Sequence, residues 1–432
     1  MSTTALDPAA YDSEVERNYR WNFWVNVLDG TFFFFGISFI ADSTVIPLYV
    51  AHLTDSRVLI GLAAAIAGSA WFLPQLLTAN FTERLARKKP MVVKYGLLAE
   101  RLPVLLLALS SFLLASSQPG LALALFFLFY AWHKLGSGSI APAWEDMMAK
   151  VIPLDRRGRF FGIANFGGSL LGVVGAQVTA VVLARYAFPD NFALCMALAF
   201  VGVFLSWVFL ALNREPALSS GKEHVSTVEY WRRLPTLLRA DRNFSRYLLT
   251  RALMGLGRMS MGFVTVYAVQ RWDLPDSQAG IYTTILLVSQ TLFNLAFGYL
   301  GDRRGHKRSL AWGLWAWIAA TGLAFFAPSP QWFYLVFLAW GMAIAAEMVG
   351  GLMILLEFAG PEDRPTYVGL GNTVTGIFNA VAPVLGGWIA SLAGYRPLFV
   401  ISALLTLSAW AVLHWDAQRI PRTRTLAESQ LR

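Results

Sequence analysis

The chain has 432 residues, of which 56% are hydrophobic and 14% charged, with a mean hydropathy of +0.52 and a formal net charge of +9. Length alone allows two or three soluble domains, but this composition excludes an ordinary soluble fold. The single cysteine, Cys195, excludes an intramolecular disulfide and leaves no thiolate cluster for a metal; inside an apolar run it reads as a packing residue.

In chain order, residues 1–20 are polar and lack the apolar core and cleavage site of a signal peptide, so the N-terminus is expected in the cytoplasm. About 20 mostly apolar residues cross a bilayer core. Hydropathy broken at Pro, Gly and charge clusters then places spans at 23–51, 57–81, 91–116, 119–147, 158–185, 190–212, 246–271, 277–300, 308–327, 331–357, 366–393 and 397–414. Segment 213–245 holds Arg214, Lys222, Arg232, Arg233, Arg239 and Arg242 beside Tyr230 and Trp231, and reads as a linker with an interfacial amphipathic helix. The expected organisation is a six-helix bundle at 1–212, a cytoplasmic linker at 213–245, and a second bundle with a tail at 246–432.

With the N-terminus inside, Arg84, Arg87, Lys88, Lys89, Lys94, Lys150, Arg156, Arg157 and Arg159 fall on the cytoplasmic side, as do Arg303, Arg304, Lys307 and Arg308. This is the positive-inside pattern. The basic balance therefore reports topology rather than a nucleic-acid partner. The expectation is an integral protein of the plasma (inner) membrane with both termini cytoplasmic.

Two comparisons point to an internal repeat. After the second span stands Ala79-Asn80-Phe81-Thr82-Glu83-Arg84-Leu85-Ala86-Arg87-Lys88, and after the eighth stands Gly298-Tyr299-Leu300-Gly301-Asp302-Arg303-Arg304-Gly305-His306-Lys307. The acid-Arg pair and the trailing basic pair share one spacing. Before the fifth span, Pro153-Leu154-Asp155-Arg156 precedes Gly162 and Asn165; before the eleventh, Pro361-Glu362-Asp363-Arg364 precedes Gly369 and Asn372. Half-length duplication explains both.

The decapeptide Gly298 to Lys307 is similar to the loop signature of the major facilitator superfamily, Gly-x-x-x-Asp-Arg-x-Gly-Arg-Lys. In the first copy Ala79 and Ala86 stand where Gly is expected, and Glu83 replaces Asp. The resemblance implies an all-α polytopic fold of 12 transmembrane helices in two pseudo-symmetric six-helix bundles around a central cavity, working by alternating access. Physically, Gly298 and Gly301 allow close helix approach and Gly305 a tight turn. Charge pairs at the bilayer edge can hold one arrangement and release it in another. The conformational latch is accordingly assigned to Glu83, Arg84, Gly298, Asp302, Arg303 and Gly305.

Ionisable groups inside spans cost about 2.5 to 3.5 kcal/mol each on insertion scales, so they face a cavity or a partner. At 100° per residue, Thr31, Ser38, Asp42 and Tyr49 share one face of the first span, with Asn22, Asn26 and Asp29 nearly opposite. Asp42, lying deeper, is expected as the cavity acid and Asp29 as a pairing residue near the cytoplasmic end. The seventh span aligns Arg251, Gly255, Arg258, Gly262 and Thr265. Arg258 has two readings: a planar fork for a solute carboxylate or phosphate, or a bridge to Asp42 or Glu347. Arg251 is expected to pair or snorkel. The fourth span aligns Lys134, Gly138, Ala141 and Glu145, with His133 and Trp144 alongside; in the tenth, Trp340 and Glu347 share a face. Spans 1, 4, 7 and 10 line the cavity in the resembled family, which implies a substrate cavity of Asp42, Lys134, Arg258, Trp340 and Glu347. Proton coupling is expected through Asp42, Glu347 or Asp29. Glu100 and Arg101 are adjacent, point different ways and read as structural ties.

The leading function is a secondary active transporter for a small polar or anionic solute, coupled to protons. Aromatic richness and the stretch Ala382-Pro383-Val384-Leu385-Gly386-Gly387 keep efflux or flipping of amphiphiles open, and a non-transporting receptor or scaffold is the reading from another class. No nucleophile–base pattern, metal motif or nucleotide loop points to an enzyme or an ATP-driven pump. The partners expected are the solute, the lipid bilayer and protons, with no cofactor and a monomeric chain.

Overall fold

A computed structural model describes residues 8–75, 78, 82, 85–153, 156–217, 241–358 and 364–414. Among them the regular structure is helical. Helices α1 (Pro8–Ser38), α2 (Val45–Leu53) and α3 (Arg57–Ser69) come first. They are followed by α4 (Lys89–Leu114), α5 (Pro119–Val151), α6 (Arg157–Arg185) and α7 (Asp190–Ala211). Beyond the linker come α8 (Arg242–Trp272), α9 (Gln278–Arg304), α10 (His306–Phe326), α11 (Trp332–Phe358), α12 (Arg364–Ala393) and α13 (Tyr395–His414). Ten of these helices are long and apolar enough to cross a membrane. The protein is an integral membrane protein, and its fold is the all-α polytopic class expected, with ten long spans and shorter helices among the described residues.

The chain divides into two compact units: Met1–Lys222 with Thr265–Thr284, and Glu223–Val264 with Ile285–Arg432. Most of the expected linker 213–245, with its interfacial helix, lies outside the described residues, as do Glu83 and Arg84.

In the first unit the expected first span is not one helix. α1 ends at Ser38, and after a turn the N–H groups of Thr44, Val45 and Ile46 converge on the carbonyl of Ala41 at 3.3, 3.0 and 3.1 Å before α2 begins. The 100° arithmetic that put Asp42 and Tyr49 on the face of Thr31 and Ser38 crosses this break. Asp42 sits in the turn, while Tyr49 is 1% exposed. Packing relies on small residues that let backbones touch. A Cβ on Gly36 of α1 would lie 2.7 Å from the amide nitrogen of Val203 on α7, and one on Gly202 would lie 2.6 Å from the Cα of Gly36. One on Gly136 of α5 would run into the Ala99 carbonyl oxygen of α4. Cys195 is fully buried among these helices.

In the second unit α8 starts with Asp241 accepting from the Phe244 N–H at 2.9 Å, an N-cap. The helix tightens to a 3₁₀ turn at Arg258–Ser260. Gly305, at φ +87, makes the sharp turn between α9 and α10, where glycine avoids the clash a side chain would meet. Phe244, Tyr247, Leu310, Ile354 and Leu355 form the apolar core near the start of α8.

Candidate functional site

In the first unit, one turn of α5 presents two donors to a single carboxylate. Lys134 Nζ donates to Asp42 Oδ2 and Tyr130 OH to Asp42 Oδ1, both at 2.7 Å. The i, i+4 spacing stacks the two donors on one helix face. Tyr130 is fully buried against Phe126, ring centroids 5.1 Å apart. The Lys134 ammonium also lies 5.5 Å from the Tyr130 ring centre. Asp42 keeps 40% of its side chain exposed against 15% for Lys134, so the pair is accessible from the carboxylate side.

A second network lies deeper, built on a π-helical turn at Gly96–Arg101. Its wider winding brings the neighbours Glu100 and Arg101 together, correcting the expectation that they point different ways: Arg101 donates directly to Glu100. Ser137 donates to Glu100 Oε1 at 2.7 Å, and His133 Nδ1 contacts the Glu100 carbonyl at 2.7 Å. Arg101 reaches Ser206 at 3.4 Å, and Ser206 donates to Asp29 Oδ1 at 2.6 Å. Asp29, Glu100 and Arg101 are 5%, 6% and 3% exposed. They border a 270 Å³ cavity whose walls include the aromatic side chains Phe33, Trp71, Trp144 and Phe160. Asp29 is thus tied to Ser206 and through it to Arg101, and it lines this cavity.

In the second unit Arg258, at the 3₁₀ turn of α8, bonds to Glu347 of α11. Of the partners weighed for Arg258, Glu347 holds it. Their side chains are 24% and 16% exposed. The guanidinium lies 5.7 Å from the ring centre of Trp317 on α10, a cation–π distance. Trp317 is fixed by its indole N–H donating to the Gly257 carbonyl at 3.2 Å, and it packs on Trp340 at 5.6 Å. Trp340, expected in the cavity wall, is 0% exposed and stands behind Trp317. The space beside the pair measures only 10 Å³, roughly the room of one water. Arg251, about two turns earlier, is 8% exposed and donates from Nε to Thr375 at 2.9 Å.

The latch residues fall in the α9–α10 corner. Asp302 and Arg303 are exposed, with the Arg303 guanidinium 4.2 Å from the Tyr299 ring centre. Gly301 meets the His306 ring closely, as expected of it. Gly298 does not: among the described residues nothing lies within 4 Å of where its Cβ would sit. Trp317, Tyr130 and the Asp29–Arg101 network were missed from the sequence. A buried tyrosine or tryptophan in a span carries no signal apart from bulk, and the π turn that joins Glu100 to Arg101 has no simple sequence mark.

The Major Facilitator Superfamily is matched over residues 247–431. An uncharacterized MFS-type transporter of Methanocaldococcus jannaschii is 22% identical over 85% of this chain and 89% of its own length. A multi-drug resistance efflux pump of Streptococcus pneumoniae is 30% identical over 35% of this chain and 39% of its own. A crystal structure of a D-xylose–proton symporter superposes with a TM-score of 0.68 at 14% identity, covering 94% of this chain and 99% of the symporter. That last likeness is one of fold.

Proposed function

We propose, for a chain that belongs to the major facilitator superfamily and is a secondary transporter of that family, that its cargo is a small polar solute with an anionic group and that protons travel with it. The observation carrying this reading is the bonded pair Arg258–Glu347. Arg258 cannot release its proton, and its planar fork suits a carboxylate or phosphate, but in the pair that fork is occupied. Protonation of Glu347 withdraws the competing charge and frees the fork for the solute's anion, so proton and anion enter as a neutral set. Loss of the proton restores the pair and expels the solute.

In the first unit Asp42–Lys134 offers the same exchange at a more exposed position. Arg101 bonds Glu100 directly and reaches Asp29 through Ser206, so two buried carboxyls stand against one guanidinium, and a buried excess of acid is relieved by holding a proton. Asp42, Glu347 and Asp29 are therefore the proton carriers of this reading. The loops with Glu83–Arg84 and Asp302–Arg303 act as latches in the cycle. The basic loops support a plasma-membrane protein with both termini in the cytoplasm.

A second reading, efflux of flat amphiphiles, is favoured by the aromatic walls of the 270 Å³ cavity. Thermal stabilisation of the purified protein by a panel of small organic anions and a panel of lipophilic cations separates the two. The transport of anions predicts stabilisation by at least one anion, lost in Arg258→Ala. Stabilisation by cations alone, unchanged in that variant, would sink the anion reading and promote efflux.

A further inference from the structure

The first unit carries another hollow that the transport reading leaves unused. It is a groove of 680 Å³ at the start of α4, and its polar lining contains Arg87, Lys89, Lys94 and Arg214. Four cations face two carboxylates there, Glu14 and Glu215.

Glu215 is already committed. Its side chain is fully buried and accepts from the backbone N–H groups of Lys88 and Lys89 at 2.8 and 2.7 Å, with Lys150 Nζ at 3.6 Å. Lys89 Nζ donates to the Asn213 carbonyl at 2.7 Å, and the Arg214 guanidinium sits 4.8 Å from the Trp21 ring centre. Arg87 and Lys94 are exposed, and among the described residues neither has a carboxylate within ion-pair distance. A positive surface is therefore left open.

Apart from Asn213, the rest of the lining is apolar: Pro90, Val93, Leu97, Leu98 and Trp207. Along α4 the cations come first and Leu97 and Leu98 follow within the next turn, deeper into a span of the membrane. Leu98 is 45% exposed, and the Trp207 indole is held in place by donating to the Val93 carbonyl at 2.8 Å. Cations at the membrane boundary followed by an apolar floor match the order of phosphate and acyl chain in a phospholipid.

We propose that this groove binds an anionic phospholipid, its headgroup phosphate between Arg87 and Lys94 and an acyl chain along Leu97, Leu98 and Trp207. A free phosphate would use only the cations and leave the apolar floor in water. A zwitterionic headgroup would bring its own cation against an existing excess of positive charge.

Native mass spectrometry of the full chain in detergent, titrated with phosphatidylglycerol, phosphatidylcholine or inorganic phosphate, tests this directly. The expected result is retention of phosphatidylglycerol over phosphatidylcholine, weakened by added salt and not displaced by millimolar phosphate. Arg87→Gln/Lys94→Gln should lower the phosphatidylglycerol affinity about thirtyfold, since each of the two basic residues near an anionic surface contributes on the order of 1 kcal/mol. Arg87→Lys/Lys94→Arg should retain it, and removing two distant exposed charges, Arg185→Gln/Arg396→Gln, should leave it unchanged. Equal retention of both lipids, displacement by phosphate, or a double variant that binds like the wild type would each overturn the proposal.

Discussion

Two ion pairs of like chemistry sit in unlike surroundings, and the difference sets what each can do. Asp42 is 40% exposed and held by two donors, so water can replace part of what Lys134 gives it. Glu347 is 16% exposed and faces a guanidinium with room for one water. Breaking a buried pair leaves an uncompensated charge, at a cost of about 3 to 5 kcal/mol, whereas exposed pairs contribute about 0 to 1 kcal/mol. Both pairs are half-buried, so each loss should fall between these limits, and thermal melts should rank Glu347→Gln below Asp42→Asn because the Glu347 carboxylate is the less exposed. Arg258→Gln/Glu347→Gln, which removes both charges, should recover part of the loss; a double variant no better than the single would deny that the lone charge is the cause. The participants Arg258 and Glu347 were legible in the sequence because charge in an apolar run is expensive and calls for a partner. Trp317 was not, because a tryptophan in a span is ordinary bulk until the fold brings a guanidinium over it.

At the scale of helices, the small residues mark where backbones meet, though not uniformly. Gly36 and Gly202 press α1 and α7 together at backbone distance, and neither neighbour can swing aside as a side-chain tip could. Gly36→Ala should lower the melting midpoint, with a cost of about 1 to 3 kcal/mol for overpacking. Gly298→Ala meets open space and replaces a helical glycine, so it should leave the midpoint unchanged or raise it by about 0.5 to 1 kcal/mol equivalent. A strong loss of stability in Gly298→Ala would contradict this packing. Span positions were readable from hydropathy to within a few residues for most helices. The break at 39–44 was not, because Phe39, Ile40 and Ala41 are as apolar as a helix interior and the turn is made by backbone bonds to the Ala41 carbonyl. The π turn at Gly96–Arg101 was hidden for the same reason.

For the whole molecule, even span number and basic loops on one side make a topology that labelling can check. In a Cys195→Ala background, Arg157→Cys and Arg304→Cys should resist an impermeant thiol reagent in intact cells, while Ser117→Cys and Ser329→Cys should react. The reverse pattern would invert the chain in the membrane. The helical, many-span architecture was legible in the amino-acid sequence through its hydropathy. The identity of the solute was not, because a cavity's shape is assembled from distant residues whose sequence neighbours have other tasks; Asp29, Ser206 and Arg101 meet although they lie on three helices.

The central claim is that a proton on Glu347 and an anionic group on Arg258 move together. It is tested most directly in proteoliposomes holding the purified protein, with the anion identified by thermal stabilisation and a pH gradient imposed across the bilayer. The wild type should accumulate the anion in the direction of proton flow, with proton uptake rising on its addition. Glu347→Gln, checked for folding, should still exchange labelled for unlabelled solute but no longer accumulate it. Accumulation by Glu347→Gln equal to that of the wild type would contradict the account.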